Sequence, residues 1–233
     1  MKGYSFFLPI ALLMGLMRMT SAPQQKPTLD DLLHKMDEVA ATFRSAEAQI
    51  ESKNYEAVIQ DFDEPETGEI YYRRNDKGLE MMLDITKPDK KQVLLDEGTI
   101  RLYQPKIDRV TLWNLGKNKA EFESYLVLGF GGSGQDLEKE FDVTNAGTEK
   151  IDGIATVKLQ LAPKSQKVKN TFNQIVLWMD PNRGVAVQQQ FFQPGGNYRL
   201  AKYTNIQVNG KKIPDDVFKL KTNGKTQVVS PGG

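Results

Sequence analysis

The sequence predicts an α+β fold of mainly β character: a single large, curved antiparallel sheet with one long and two short helices on its apolar side. Three observations carry this. From Leu29 onward, apolar residues recur at three- and four-residue spacing, as one face of a helix requires. From about residue 49 the pattern changes to short β-rich runs divided by turn residues. The loops between those runs are too short for crossovers, so neighbouring strands joined by them are antiparallel.

In chain order, residues 1–22 read as a secretory signal peptide. Lys2 is the cationic start, Phe6 to Met17 the apolar run, and Thr20, Ser21 and Ala22 the small-residue cleavage pattern. Arg18 cuts the run short of the roughly 20 residues a spanning helix needs. No Cys follows Ala22, so lipoprotein-type acylation is excluded, and the expected location is free in the periplasm. Residues 23–27 form a proline-bounded polar lead expected to be disordered. The domain then spans 28–222, and 223–233 reads as a loose tail.

The first helix runs from Leu29 to about Ala46, with Thr28 and Asp31 as its cap and Leu32, Leu33, Met36, Val39, Ala40 and Phe43 on one face. Strands are expected near 49–61, 68–74, 79–85, 91–95, 99–103 and 107–113, punctuated by Asn75-Asp-Lys-Gly78, Lys87-Pro-Asp89, Asp96-Glu-Gly98 and Gln104-Pro105. Two short helices, Lys117 to Phe130 and Gln135 to Phe141, are broken at Gly129-Phe-Gly-Gly-Ser-Gly134. Strands resume with Val157, Leu159 and Leu161 alternating with polar neighbours, then Ile175 to Met179, Val185 to Phe192 and Tyr198 to Val208. Asp180-Pro-Asn-Arg-Gly184 and Gln193-Pro-Gly-Gly196 are the turns.

The residue inventory removes most catalytic schemes. Of 233 residues, 39% are hydrophobic, enough for a core, yet none is Cys and His34 is the one His. Thiolate nucleophiles, disulfides and Cys/His zinc sites are excluded, and no metal or cofactor is expected. Lys and Arg total 31 against 30 acids; Lys2 and Arg18 lie in the signal peptide, leaving 29 basic residues and a charge of −1. Such a chain has no electrostatic footprint for nucleic acid. The carboxylates of Asp61-Phe-Asp63-Glu64 and Asp215-Asp216 sit in turn-like contexts, so no catalytic pair is assigned. The glycines at 129–134 lack the Lys-Ser/Thr ending of a phosphate loop and read as a hinge.

The adjacent apolar pairs Met81-Met82, Leu94-Leu95 and Phe191-Phe192 put hydrophobic surface on both faces of the sheet. Either helices and chain cover both faces, or one face forms an apolar pocket for an acyl chain. Candidate lining residues for such a pocket are Met36, Phe43, Tyr72, Met82, Leu95, Leu102, Trp113, Leu126, Trp178 and Phe191.

The ordered series Gly68-Glu-Ile-Tyr-Tyr-Arg-Arg-Asn75, Leu79-Glu-Met-Met-Leu-Asp-Ile-Thr-Lys-Pro88, Asp96-Glu-Gly98 and Leu102-Tyr-Gln-Pro105, continued by Leu177-Trp-Met-Asp-Pro181 and Ile213-Pro-Asp-Asp-Val-Phe218, resembles the LolA-like family of outer-membrane lipoprotein carrier and sorting proteins. The resemblance implies an incomplete antiparallel β-barrel with helices as a lid over an apolar cavity. It also implies a non-enzymatic monomeric carrier of lipoprotein acyl chains or another lipid, receiving cargo from an inner-membrane lipoprotein-releasing transporter and delivering it to an outer-membrane acceptor. The alternative function is a sensor or envelope scaffold on the same fold, with a small or filled cavity. The family's functional Arg falls on Arg74, where Asn75 replaces the family's proline. Its implied role is gating the lid, so Arg74→Leu is expected to shift loading against unloading, and Arg73→Leu to do little.

Overall fold

A computed structural model describes residues 27–230. The expected signal peptide and residues 23–26 lie outside this range. Helix α1 (Leu29–Thr42) begins at the expected cap: the Asp31 N–H donates to Thr28 Oγ1 at 3.1 Å, and Asp31 Oδ2 accepts from the Thr28 N–H at 3.0 Å. It ends four residues before Ala46, because Phe43 is already extended and Ala46, Ala48 and Ile50 alternate inward along β1 (Ser45–Glu56).

The sheet continues with β2 (Asp61–Phe62), β3 (Glu66–Asn75), β4 (Gly78–Lys87), β5 (Lys91–Asp96), β6 (Thr99–Gln104) and β7 (Arg109–Asn114). Helices α2 (Lys119–Leu126) and α3 (Gly134–Glu140) follow, then β8 (Phe141–Ile151), β9 (Ile154–Pro163), the single turn α4 (Gln166–Lys169), β10 (Gln174–Asp180), β11 (Val185–Phe192), β12 (Tyr198–Val208) and β13 (Gln227–Val229). Their order in space is β13-β7-β6-β5-β4-β3-β1-β12-β11-β10-β9-β8, with β2 beside β1. Strand β1 thus joins two antiparallel meanders, and β8 and β13 do not pair, so the sheet is an unclosed barrel.

Two expectations are corrected. Residues 141–151, not expected as a strand, form β8; it is an edge strand exposed along most of its length, so no apolar alternation marks it. The C-terminal residues, expected to be loose, include β13, which runs parallel to β7. A parallel pair is possible there because the whole of the second meander separates β13 from β7 in the chain. Asp108 fixes this segment by accepting from Thr226 Oγ1 at 2.7 Å and Asn223 Nδ2 at 3.1 Å.

The concave face holds the core. Under α1 and α3, Leu32, Met36, Leu137 and Phe141 pack on Leu159, Leu161 and Leu177. Beside it, Phe130 from the α2–α3 connection lies between Tyr72 (ring centroids 5.3 Å) and Tyr203 (4.7 Å). Burying a ring of this size contributes about 1.5–3 kcal/mol. The glycines at 129–134, expected as a hinge, are close-packing positions. A Cβ at Gly131 would lie 2.6 Å from the Phe43 ring, and one at Gly129, where φ is +80°, would lie 2.4 Å from the Ala186 Cβ. Only glycine admits that backbone conformation and that approach together.

Candidate ligand cavity

Strand pairing decides which side chains meet inside. One cross-strand row runs Ala46–Tyr72–Met81–Leu95–Ile100–Trp113, the next Ala48–Ile70–Leu83–Val93–Leu102–Thr111. Paired residues share a face, so both rows point to the concave side. On the C-terminal meander, Phe191, Arg199, Ala201 and Tyr203 point the same way.

Between these strands and α2 lies a cavity of about 240 Å³ lined by Ile70, Tyr72, Met81, Leu83, Leu95, Ala201 and Tyr203, among others. It adjoins a second of about 640 Å³, reaching Leu115, Val168 and Phe172. Phe122, Tyr125, Leu126, Phe191 and Arg199 line both. Neither lining contains a carboxylate among the described side chains. The larger volume falls in the range of small-molecule sites. Burial pushes the Tyr203 hydroxyl up to about 12, the Arg199 charge pulling the other way; burial likewise raises Tyr72 far above the ordinary phenol value. Both phenols stay neutral at physiological pH.

A buried polar chain ties the helical cover to the sheet. Tyr203 Oη donates to Gln189 Oε1 at 2.9 Å, Gln189 Nε2 donates to the Leu128 carbonyl, and the Ala186 N–H donates to the Gly129 carbonyl at 2.7 Å. Each of these groups is withdrawn from water and satisfied.

Of the candidate lining residues, Tyr72, Leu95, Leu126 and Phe191 line one or both cavities. Leu102 and Trp113 share the concave face but line neither, and Trp113 stands 40% exposed at the end of its row. Met36 and Phe43 are in the closed core under the helices and the glycine stretch. Met82 and Trp178 are corrections, since each lies on the opposite face. Met82 packs with Leu94 beneath Ile213 and Phe218 of the C-terminal segment. Trp178 packs with Val176 and Val187, donating from Nε1 to Glu149 Oε2 at 2.8 Å under Lys158.

Arg74 lies in a separate cleft of about 520 Å³, with Glu123, Asp136 and Glu140 and beside the connection at Val127, Leu128 and Gly131. Its guanidinium carbon is 5.7 Å from the Phe43 ring centroid, and among the described residues it donates to no helix carbonyl. Sequence reasoning missed Phe122, Gln189, Arg199 and Tyr203. The alternation Arg199, Ala201, Tyr203 along β12 was the available signal for the last two. Among the described residues no His, Asp and Glu cluster could hold a metal ion, and no helix is long and apolar enough to cross a membrane.

This architecture is shared with solved structures. An uncharacterized conserved protein from Thermus thermophilus matches at TM-score 0.55 and 10% identity, over 86% of this chain and 98% of that one. The complex of MucA and MucB from Pseudomonas aeruginosa matches at 0.51 and 16% identity, over 86% of this chain and 63% of that chain, so the likeness spans less than two thirds of the latter. A LolA superfamily protein from Nitrosomonas europaea matches at 0.40 and 13% identity, over 84% and 99%. For the first two, at these identities, the likeness is one of fold. No protein-family model and no curated protein matches the sequence.

Proposed function

We propose that this chain is a periplasmic carrier that shelters lipid acyl chains inside the unclosed barrel and moves them between membranes without covalent chemistry. The observation that carries the reading is the pair of adjoining cavities, about 240 and 640 Å³, walled mainly by aromatic and aliphatic side chains. Each methylene buried there contributes about 0.8 kcal/mol, so part of an acyl chain gives affinity that is useful and still reversible. Lipoprotein cargo, an inner-membrane releasing transporter and an outer-membrane acceptor follow from the family resemblance. The alternative is a sensor or scaffold that binds a protein partner, with a small or filled cavity; the MucB likeness supports it, and the 640 Å³ of space supports the carrier reading.

The test is titration of the purified protein with a fluorescent fatty-acyl probe, together with mass spectrometry of lipid that copurifies. Saturable binding, displaced by unlabelled lipid, is expected. Absence of both binding and copurifying lipid in folded protein overturns the reading.

A further inference from the structure

Arg199 is the feature that an acyl-binding interior does not by itself explain. It sits on the concave face of β12, two residues from Ala201 and four from Tyr203, and lines both cavities where they adjoin. Its Nη2 donates to Ser52 Oγ at 3.1 Å, and Ser52 is itself 2% exposed. That bond fixes the planar guanidinium on the cavity wall and leaves most of its fork of five N–H donors without a protein acceptor. Among the described residues Arg199 forms no ion pair, and no carboxylate lines either cavity. The guanidinium is half-buried on a wall shared with Phe122, Leu126 and Phe191, and among the described lining residues no carboxylate is present to take up its remaining donors.

We infer that Arg199 is the head-group site of the cavity, and that the ligand is an anionic amphiphile whose carboxylate or phosphate pairs with Arg199 while its acyl chain fills the apolar space. This inference rests on the acyl-binding reading above and adds a substrate class to it. A guanidinium pairs with either anion through two parallel hydrogen bonds. A neutral diacyl head makes no use of this site.

The test measures binding of cis-parinaric acid and of its methyl ester to the purified protein, reading the ratio of the two affinities. A charge-assisted pair lost on esterification corresponds to about a tenfold or larger preference for the acid. Arg199→Gln should collapse that ratio toward one, Arg199→Lys should restore part of it, and Lys202→Gln should leave it unchanged. Lys202 is the control because it carries the same charge on the opposite face of β12, paired with Asp152 at 3.0 Å. Thermal melts establish that each variant is folded. Dodecyl phosphate and inorganic phosphate are then compared as competitors of the acid, separating an amphiphile from a free anion.

Equal binding of acid and ester by the parent overturns the head-group site and leaves the acyl cavity standing. Competition by inorganic phosphate as strong as by dodecyl phosphate overturns the amphiphile. Failure of acid and ester alike overturns the carrier reading and this inference with it.

Discussion

Arg73 holds Asp215 on the convex side of the sheet. The same guanidinium donates to Glu80 Oε2 at 2.7 Å and lies 4.3 Å from the Phe218 ring centroid, so one side chain clamps β3, β4 and the C-terminal segment together. Beneath that clamp, Met82 and Leu94 are covered by Ile213 and Phe218. The expectation that Arg73→Leu does little is therefore replaced. The substitution leaves the half-buried Glu80 carboxylate without its partner and should cost roughly 1–3 kcal/mol. A thermal melt should fall by several degrees, and an unchanged melt would show that the Arg73 clamp adds nothing to the stability of the fold.

The same segment should loosen in acid. Hydrogen bonding to Arg73, followed by the Arg73 charge, holds Asp215 below the ordinary carboxylate value; hydrogen bonds from Thr226 and Asn223 do the same for Asp108. A carboxyl whose folded pKa is depressed contributes stability above its unfolded value, near 4, and that contribution is lost as pH falls through the folded value. Protection of the amides of residues 209–229, taken as exchange relative to the intrinsic rate at each pH, should be flat from about pH 7 to 5 and fall only below about pH 4. A loss of protection already at neutral pH would mean these two carboxylates are not the anchors.

Packing at the glycine-rich connection gives a sharper mutation. Gly131→Ala brings a Cβ within 2.6 Å of the Phe43 ring, which is itself buried under Arg74 and the sheet. Relief requires moving either the ring or the connection, at about 1–3 kcal/mol. Gly147→Ala, where no heavy atom lies within 4 Å but φ is +97°, provides a comparison with backbone strain alone. A hinge would tolerate alanine at 131 better than at 147; close packing requires the reverse order in urea midpoints.

How far such details can be read from sequence depends on which face of the sheet is covered. The strand and helix order of the barrel is legible because turns such as Asn75-Asp-Lys-Gly78 and the α1 cap are local chemistry. The choice between Met81 and Met82, or Leu94 and Leu95, is not local. Both members of each pair are buried, one against the concave interior and one beneath residues 213–220. Alternation alone cannot assign the interior when the convex face is also dry. Trp178 escapes assignment for the same reason, since its polar partner, Glu149, sits on a strand with no apolar pattern. Arg199 escapes it because a charge in a strand ordinarily faces water.

Arg74 is the last case, and there the hairpin geometry matters. Asn75 pairs with Gly78, and its side chain accepts the Lys77 N–H at 2.8 Å, so it closes the β3–β4 turn by its own side chain. The Arg74 N–H donates to the Arg44 carbonyl at 2.8 Å, fixing the backbone, while its exposed guanidinium is left in the cleft beside the α2–α3 connection. An exposed side chain whose side-chain contact is a 5.7 Å approach to the Phe43 ring should be replaceable at a cost of about 0.5 kcal/mol or less, so Arg74→Leu should melt with the parent. A gating role needs the guanidinium to gain carbonyl partners in one of two lid states. Hydrogen bonds to a charged donor, each worth roughly 1.5–3 kcal/mol, are enough to bias such an equilibrium. The variant should then load and release lipid in a different ratio from the parent in a vesicle-to-vesicle transfer assay. Equal transfer at equal stability would make Arg74 a surface charge, with the closing of this hairpin already accomplished by Asn75.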